Sequence, residues 1–180
     1  MPRVAERAPD TLDPALRALY DSYTQGGTVF ADQFSVLAQV DPAARHLYGM
    51  LAELKARAAV PYRYIEIAIV VVSLLNDCPY CVASHAPRLA VEGITEAGAN
   101  RLLDYADHPE LTDVDKLVVR YAIEVTRSAQ RVPDDLFDAL RAHFTESQLV
   151  ELTLRIALCG FFNRFNQALQ IGEHASDVHA

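Results

Sequence analysis

Two cysteines, a histidine and a glutamate stand at spacings that allow thiol chemistry: Glu66, Cys78, Cys81 and His85, in the pattern E-x11-C-x2-C-x3-H. With Pro79 as the first helical residue, Cys78 becomes the N-cap and Cys81 the third residue of a helix. Both sulfurs then sit at a helix N-terminus, where unpaired N–H groups and the macrodipole favour a thiolate. Two intervening residues let the sulfurs meet as a small, reversible disulfide. Cys81 and His85 are four apart and share one helix face, so the imidazole can reach the thiol.

Glu66 is a lone carboxylate inside Ile65-Glu66-Ile67-Ala68-Ile69, where an unpaired charge is unfavourable. Two antiparallel helices joined near residues 76–78 place Glu66 about 15 Å and His85 about 10 Å from the turn, at about 1.5 Å rise per residue. Glu66 is therefore expected to approach His85, directly or through a water, rather than Cys81. Carboxylate, imidazole and thiol in that order form a nucleophile activated by a base that a third group orients.

The elements that must position these groups read as helices throughout. Asp13-Pro14 marks an N-cap and first helical residue, followed by Leu16, Leu19, Tyr20 and Tyr23 at helical spacing. Gln25-Gly26-Gly27-Thr28 interrupts the pattern, and a short piece covers Phe34 to Gln39. Asp41-Pro42 starts a helix with Leu47, Met50, Leu51 and Leu54 on one face. The apolar stretch from Pro61 to Asn76 contains a β-branched run that also suits a buried strand; its length of about 15 residues and its helical neighbours favour a buried helix. The cysteine helix is expected to run to Glu92 and stop at Gly93. Thr95 caps a helix to Ala106, His108-Pro109 is a loop, and Thr112 caps a helix carrying Leu117, Val118, Tyr121 and Val125. Pro133 to Phe144 gives a further helix, and Thr145 with Gln148 forms a capping box before a long last helix ending near Ile171. The expectation is an all-α, single-domain helical bundle over residues 1–180.

Composition narrows the function classes. With 51% hydrophobic and 22% charged residues the chain has a globular balance, and 3 cysteines are too few for a disulfide scaffold. A net charge of −8 with no basic stripe argues against nucleic-acid binding. The longest apolar run, Ile67 to Val72, falls short of the roughly 18 residues of a bilayer span. The start, Met1-Pro2-Arg3-Val4-Ala5-Glu6-Arg7, lacks the apolar stretch of a secretory signal. An odd number of cysteines, two of them close together, fits a reducing cytoplasm.

The pattern met by Glu66, Cys78, Cys81 and His85 resembles the core of AhpD-like alkylhydroperoxidases, members of the all-helical carboxymuconolactone decarboxylase family. The resemblance is strongest over residues 62–89 and extends to Phe161-Phe162-Asn163-Arg164-Phe165-Asn166-Gln167-Ala168 in the last helix. One position departs, because Tyr80 stands where some members carry a histidine. The resemblance implies a thiol-dependent peroxidase in which Cys81 attacks the hydroperoxide, Cys78 resolves the sulfenic acid as a disulfide, and His85 and Glu66 relay the proton. It further implies no bound cofactor, a lipoyl-bearing or thioredoxin-like dithiol reductant, and a homo-oligomer, trimer or hexamer.

Other readings compete. The family's decarboxylase branch acts on a lactone, but generally lacks the cysteine pair. A non-catalytic helical protein would keep the cysteines as small buried hydrophobes, or use Cys78, Cys81, His85 and Glu66 as ligands of a structural zinc. Outside the cluster, His46, His108, His143, His174 and His179 read as solvated and Cys159 as core. Asn163, Arg164 and Asn166 read as a polar face of the last helix, ahead of a lining for the site or a subunit contact.

Overall fold

Asp13 opens the first helix as its sequence suggests. Its Oδ1 accepts from the backbone N–H groups of Ala15 at 2.9 Å and Leu16 at 3.1 Å, satisfying two otherwise orphaned donors of α1, Pro14–Thr24. The structure, a computed structural model, describes residues 2–24 and 30–172. The expected break at 25–28 and the histidines His174 and His179 lie outside the described residues. Eight more helices follow among the described residues: α2 Ala31–Leu37, α3 Asp41–Arg57, α4 Tyr62–Leu75, α5 Pro79–Val91, α6 Glu96–Ala99, α7 Asp113–Ser128, α8 Asp134–Arg141 and α9 Glu146–Leu169. Short 3-10 turns lie at Pro9–Thr11, Leu102–Asp107 and Ala129–Arg131, and no strand occurs among the described residues. The all-α expectation holds.

Two compact units divide these residues: 2–24, 30–59 and 166–172 make one, and 60–165 the other. In the first, Phe34 stacks on Tyr48 with ring centroids 4.4 Å apart, and Tyr20 meets Phe34 edge-on. The Tyr48 hydroxyl donates to Gln33 Oε1 at 3.0 Å, and Gln33 Nε2 donates to Asn166 Oδ1 at 3.0 Å. The buried face of α3 is therefore Ala44, Tyr48 and Leu51, while Leu47, Met50 and Leu54 are only half-buried. A large ring whose hydroxyl finds an internal acceptor outweighs the aliphatic pattern.

The second unit is built on α4, whose Ile67, Ala68, Val70, Val71 and Val72 are wholly buried against α5 and α7. The β-branched run is helical, as its length argues. Thr112 and Asp115 form a complete capping box on α7. Arg63 of α4 donates to Asp115 at 2.7 Å and to the carbonyl oxygens of Glu92 and Glu110, bracing that corner. The expected helix from Thr95 to Ala106 is instead two pieces. His108 is buried, and its Nε2 is 3.0 Å from the Gly98 carbonyl oxygen, the acceptor that the N–H of Leu102 would need for the helix to continue. His108 is thus a core strut rather than a solvated loop residue.

The link between α4 and α5 leaves no slack. The N–H of Asp77 donates to Leu74 O at 3.3 Å and that of Cys78 to Ser73 O at 2.9 Å. These two bonds, with Asp77 in the left-handed region at φ 49°, form a Schellman closure of α4. Cys78 ends that closure and is at once the N-cap residue of α5, with Pro79 following. The far end of α5 stops at Gly93, whose φ of 86° suits a residue without a Cβ.

Candidate active site

Every residue of the thiol cluster comes from the second unit. Glu66 lies in the middle of α4 with 1% of its surface exposed, Cys78 and Cys81 at the start of α5 with 2% and 4%. His85 lies one turn after Cys81. Its Nδ1 is 2.6 Å from Glu66 Oε2, so the approach inferred from helix arithmetic is made directly. A carboxylate on Nδ1 fixes the ring orientation and leaves Nε2 as the nitrogen that exchanges protons.

Burial works to raise the Glu66 carboxyl. The hydrogen bond and charge of His85, a hydrogen bond from Tyr62 and the charge of Arg88 outweigh it and hold the group below the ordinary carboxylate range. Arg88 Nη1 is 3.7 Å from Glu66 Oε1 and donates to the Tyr62 hydroxyl at 3.1 Å. Burial, followed by the charge of Glu66, pushes the Tyr62 phenol up to about 12. Tyr62 and Arg88 are partly exposed and carry this polar network from the buried carboxylate to the surface.

Cys78, Cys81 and Cys159 are all free thiols. The Cys81 thiol donates to Cys78 and lowers the Cys78 thiol to about 7 against the opposing effect of burial; the Cys81 backbone N–H and Asn163 contribute in the same direction. Cys78 makes no side-chain capping bond of standard geometry, yet that N–H still directs positive charge at its sulfur. Donating to Cys78 and being buried both push the Cys81 thiol up. In the reduced pair each sulfur acts on the other, so that one thiolate is favoured at the expense of the second.

Asn163 and Asn166 are not a solvated polar face: both are buried, whereas Arg164 is exposed and donates to Gly160 O at 2.9 Å. Asn163 Oδ1 accepts from Asn76 Nδ2 at 3.0 Å, and its Nδ2 donates to Ser73 Oγ at 3.3 Å. A signal for it exists in the sequence, because it lies one turn after the apolar-facing Cys159 and so shares its face. Cys159 is core as expected: its Sγ lies 3.4 Å from Ser73 Oγ and 3.4 Å from Ile69 O, and burial pushes its thiol up to about 12.

Among the described residues no group of three or more His, Cys, Asp or Glu side chains is placed to hold a metal ion; the zinc alternative finds no ligand set there. No described helix is long and apolar enough to cross a membrane. An apolar cleft of about 460 Å³ lined by Phe137, Leu149, Val150 and Ala157 shares no residue with the thiol cluster.

Fold and site together define an all-helical protein with a C-x2-C thiol pair at a helix start and a carboxylate–imidazole bond beside it. Residues 41–109 match the carboxymuconolactone decarboxylase family, a stretch that includes Glu66, Cys78, Cys81 and His85, and the fold of the chain is AhpD-like. It is 28% identical over 105 residues to the uncharacterized protein YdfG of Bacillus subtilis, covering 58% of this chain and 71% of that one. It is 30% identical over 94 residues to the uncharacterized protein YnjA of Escherichia coli, where the match spans 52% of each chain. A crystal structure from Agrobacterium tumefaciens, of a protein of unknown function suggested to be the antioxidant defence protein AhpD, superposes with a TM-score of 0.63 at 25% identity. It covers 74% of this chain and 92% of that one. The AhpD core of an uncharacterized peroxidase-related protein from Ralstonia eutropha JMP134 matches in fold, with a TM-score of 0.80 at 19% identity over 94% of this chain and 90% of that one.

Proposed function

We propose that this chain is a thiol-dependent peroxidase that reduces hydroperoxides through Cys78 and Cys81. The observation that carries the reading is the geometry of the pair: two buried sulfurs at the start of α5, beside an imidazole held by Glu66 at 2.6 Å.

In the proposed cycle the Cys81 proton passes to His85, and the Cys81 thiolate attacks the terminal peroxide oxygen. The S–O bond forms, the O–O bond breaks, and the alkoxide leaves with a proton returned by His85. The Cys78 thiolate then attacks the Cys81 sulfenic acid; the S–S bond forms and hydroxide leaves, to be protonated to water. A lipoyl-bearing or thioredoxin-like dithiol supplies the two electrons that reopen the disulfide. Glu66 holds the imidazole and supports its charged form while the proton is in transit. We propose the cytoplasm as its site of action and a trimer or hexamer as its assembly.

The test is a count of free thiols before and after hydrogen peroxide, followed by dihydrolipoamide. Loss of two thiols per chain, restored by the dithiol with continued peroxide consumption, is the expected result. An unchanged count with intact protein discards the reading and leaves the lactone decarboxylase or a non-catalytic protein.

A further inference from the structure

Glu66 meets two basic side chains, one on each oxygen. His85 Nδ1 lies 2.6 Å from Oε2, and Arg88 Nη1 lies 3.7 Å from Oε1. Cys81, His85 and Arg88 follow one another on α5 at i, i+4 and i+7 and so share one helix face. That face runs from a buried sulfur through the imidazole to a guanidinium with 37% of its side chain exposed. Arg88 is anchored there, because the same Nη1 donates at 3.1 Å to the hydroxyl of Tyr62, one turn before Glu66 on α4.

The two partners differ in a way that matters to a proton relay. An imidazole gives up its charge near neutral pH, whereas a guanidinium is always charged. Each time His85 is neutral, Glu66 is a carboxylate with 1% of its surface exposed and no counter-charge on Oε2. A buried charge in that position needs another ionic partner or takes up a proton. The neighbouring elements supply none. Arg63 of α4 is taken by Asp115 of α7 at 2.7 Å. Tyr121 of α7 and Cys159 of α9 are uncharged as phenol and thiol and have contacts of their own, and Asp104 and Asp107 of the adjoining 3-10 turn are exposed acids. We propose that Arg88 is a positioning residue of the thiol site: anchored by Tyr62, it is the permanent counter-charge that keeps Glu66 ionised and turned toward His85 while the imidazole is neutral. It acts on the sulfurs only through that carboxylate.

This role rests on the reading of Glu66 and His85 as a proton relay, but its test needs no peroxide. The reduced full-length protein, in a Cys78→Ala background, is alkylated with iodoacetamide across pH, with Cys81 resolved from Cys159 by mass. Arg88→Met keeps the apolar stem and removes the charge; Arg88→Gln serves if the methionine variant does not fold. The Cys81 alkylation curve is expected to move to higher pH, with the rate near pH 7 falling about threefold, the equivalent of about half a pKa unit. That is the direction of Glu66→Gln, reached only in part because the carboxylate remains. Arg88→Lys keeps the charge and should recover most of the rate. In a Glu66→Gln background, Arg88→Met should add nothing, since the group it acts through is gone. A folded Arg88→Met protein with an unmoved curve overturns the proposal whatever its melting temperature, as does a lysine variant that behaves like the methionine one. An equal further shift on top of Glu66→Gln also overturns it, because the guanidinium would then act without the carboxylate. A wild-type protein that ignores peroxide while this coupling holds counts against the peroxidase reading and leaves Arg88 in place.

Discussion

Cys78 and Cys159 are both nearly hidden from solvent, yet their thiols move in opposite directions. At the start of α5 a neighbouring thiol, a backbone N–H and an amide act against burial and bring Cys78 down to about 7. In the middle of α9 burial prevails. Ser73 and Asn163 oppose it only in part, the negative charge of Cys78 adds to it, and Cys159 rises to about 12. The difference is one of free donors. Inside a helix the backbone N–H groups are already given to carbonyls one turn back, whereas the first turn has them to spare. The acidity of these two thiols follows the groups around each sulfur rather than its exposure.

The contrast is broken most severely by removing the sulfurs themselves. Cys81→Ser is expected to abolish peroxide consumption, while Cys78→Ser should form one equivalent of trapped sulfenic acid and then stall. Sustained turnover by Cys78→Ser with a dithiol present would reverse the two roles. Glu66→Gln comes next: it keeps the shape of the side chain but loses the charge that supports the imidazolium. The peroxidase rate should fall by about 10²-fold, and the apparent pKa of Cys81 alkylation should rise. A folded mutant with an unshifted alkylation curve removes Glu66 from the mechanism.

The lowered Cys78 thiol gives a milder signature. Its thiolate is present above its pKa of about 7, so alkylation should rise through neutral pH and level off beyond it. Cys81→Ala removes the donated S–H and should move the midpoint toward the free-cysteine value of about 8.5. A midpoint that stays near 7 would mean that the helix start alone sets it. Acid stability sharpens the comparison from the carboxylate side. Glu66 is held below its unfolded value, so its contribution to stability is present above the ordinary carboxylate range and is lost as pH falls through the lowered folded value. The stability difference between wild type and Glu66→Gln should shrink in that acid window, as read by urea unfolding at a series of pH values. The smallest effect belongs to Cys159: it should remain a thiol when peroxide oxidises the pair, and Cys159→Ala should leave the rate within about twofold, since the thiol lacks thiolate character. A disulfide mapped to Cys159 would contradict its core assignment.

The chemistry around the turn was legible in the sequence because it is local. Glu66 and His85 lie at fixed rises from one tight connection, so their meeting follows from helix geometry alone. The helical state of residues 62–75 followed from length, which outweighed the β-branched preference of Ile67 to Val72. Asn163 read first as part of a polar face, because its burial against Ser73 and Asn76 depends on how a distant helix packs on α4. His108 was misread for a similar reason: a loop histidine looks solvated until a carbonyl elsewhere in the fold claims its ring. Tyr48 shows the same limit in the first unit, where a buried acceptor on Gln33 turns the face of α3 away from its aliphatic pattern. The misses are residues whose roles are set by partners outside their own helix.

The closure that ends α4 also begins α5, and Cys78 belongs to both. The connection therefore has no residue that serves only as spacer. Adding one between Asp77 and Cys78 would advance the second helix by about 100° of rotation, the step of a helix with 3.6 residues per turn. Cys81 and His85 would swing together, keeping their own spacing while leaving Glu66 facing a different side of α5. The reading frame of the two helices, set at that single junction, is what turns a carboxylate in one helix and an imidazole in the next into a pair.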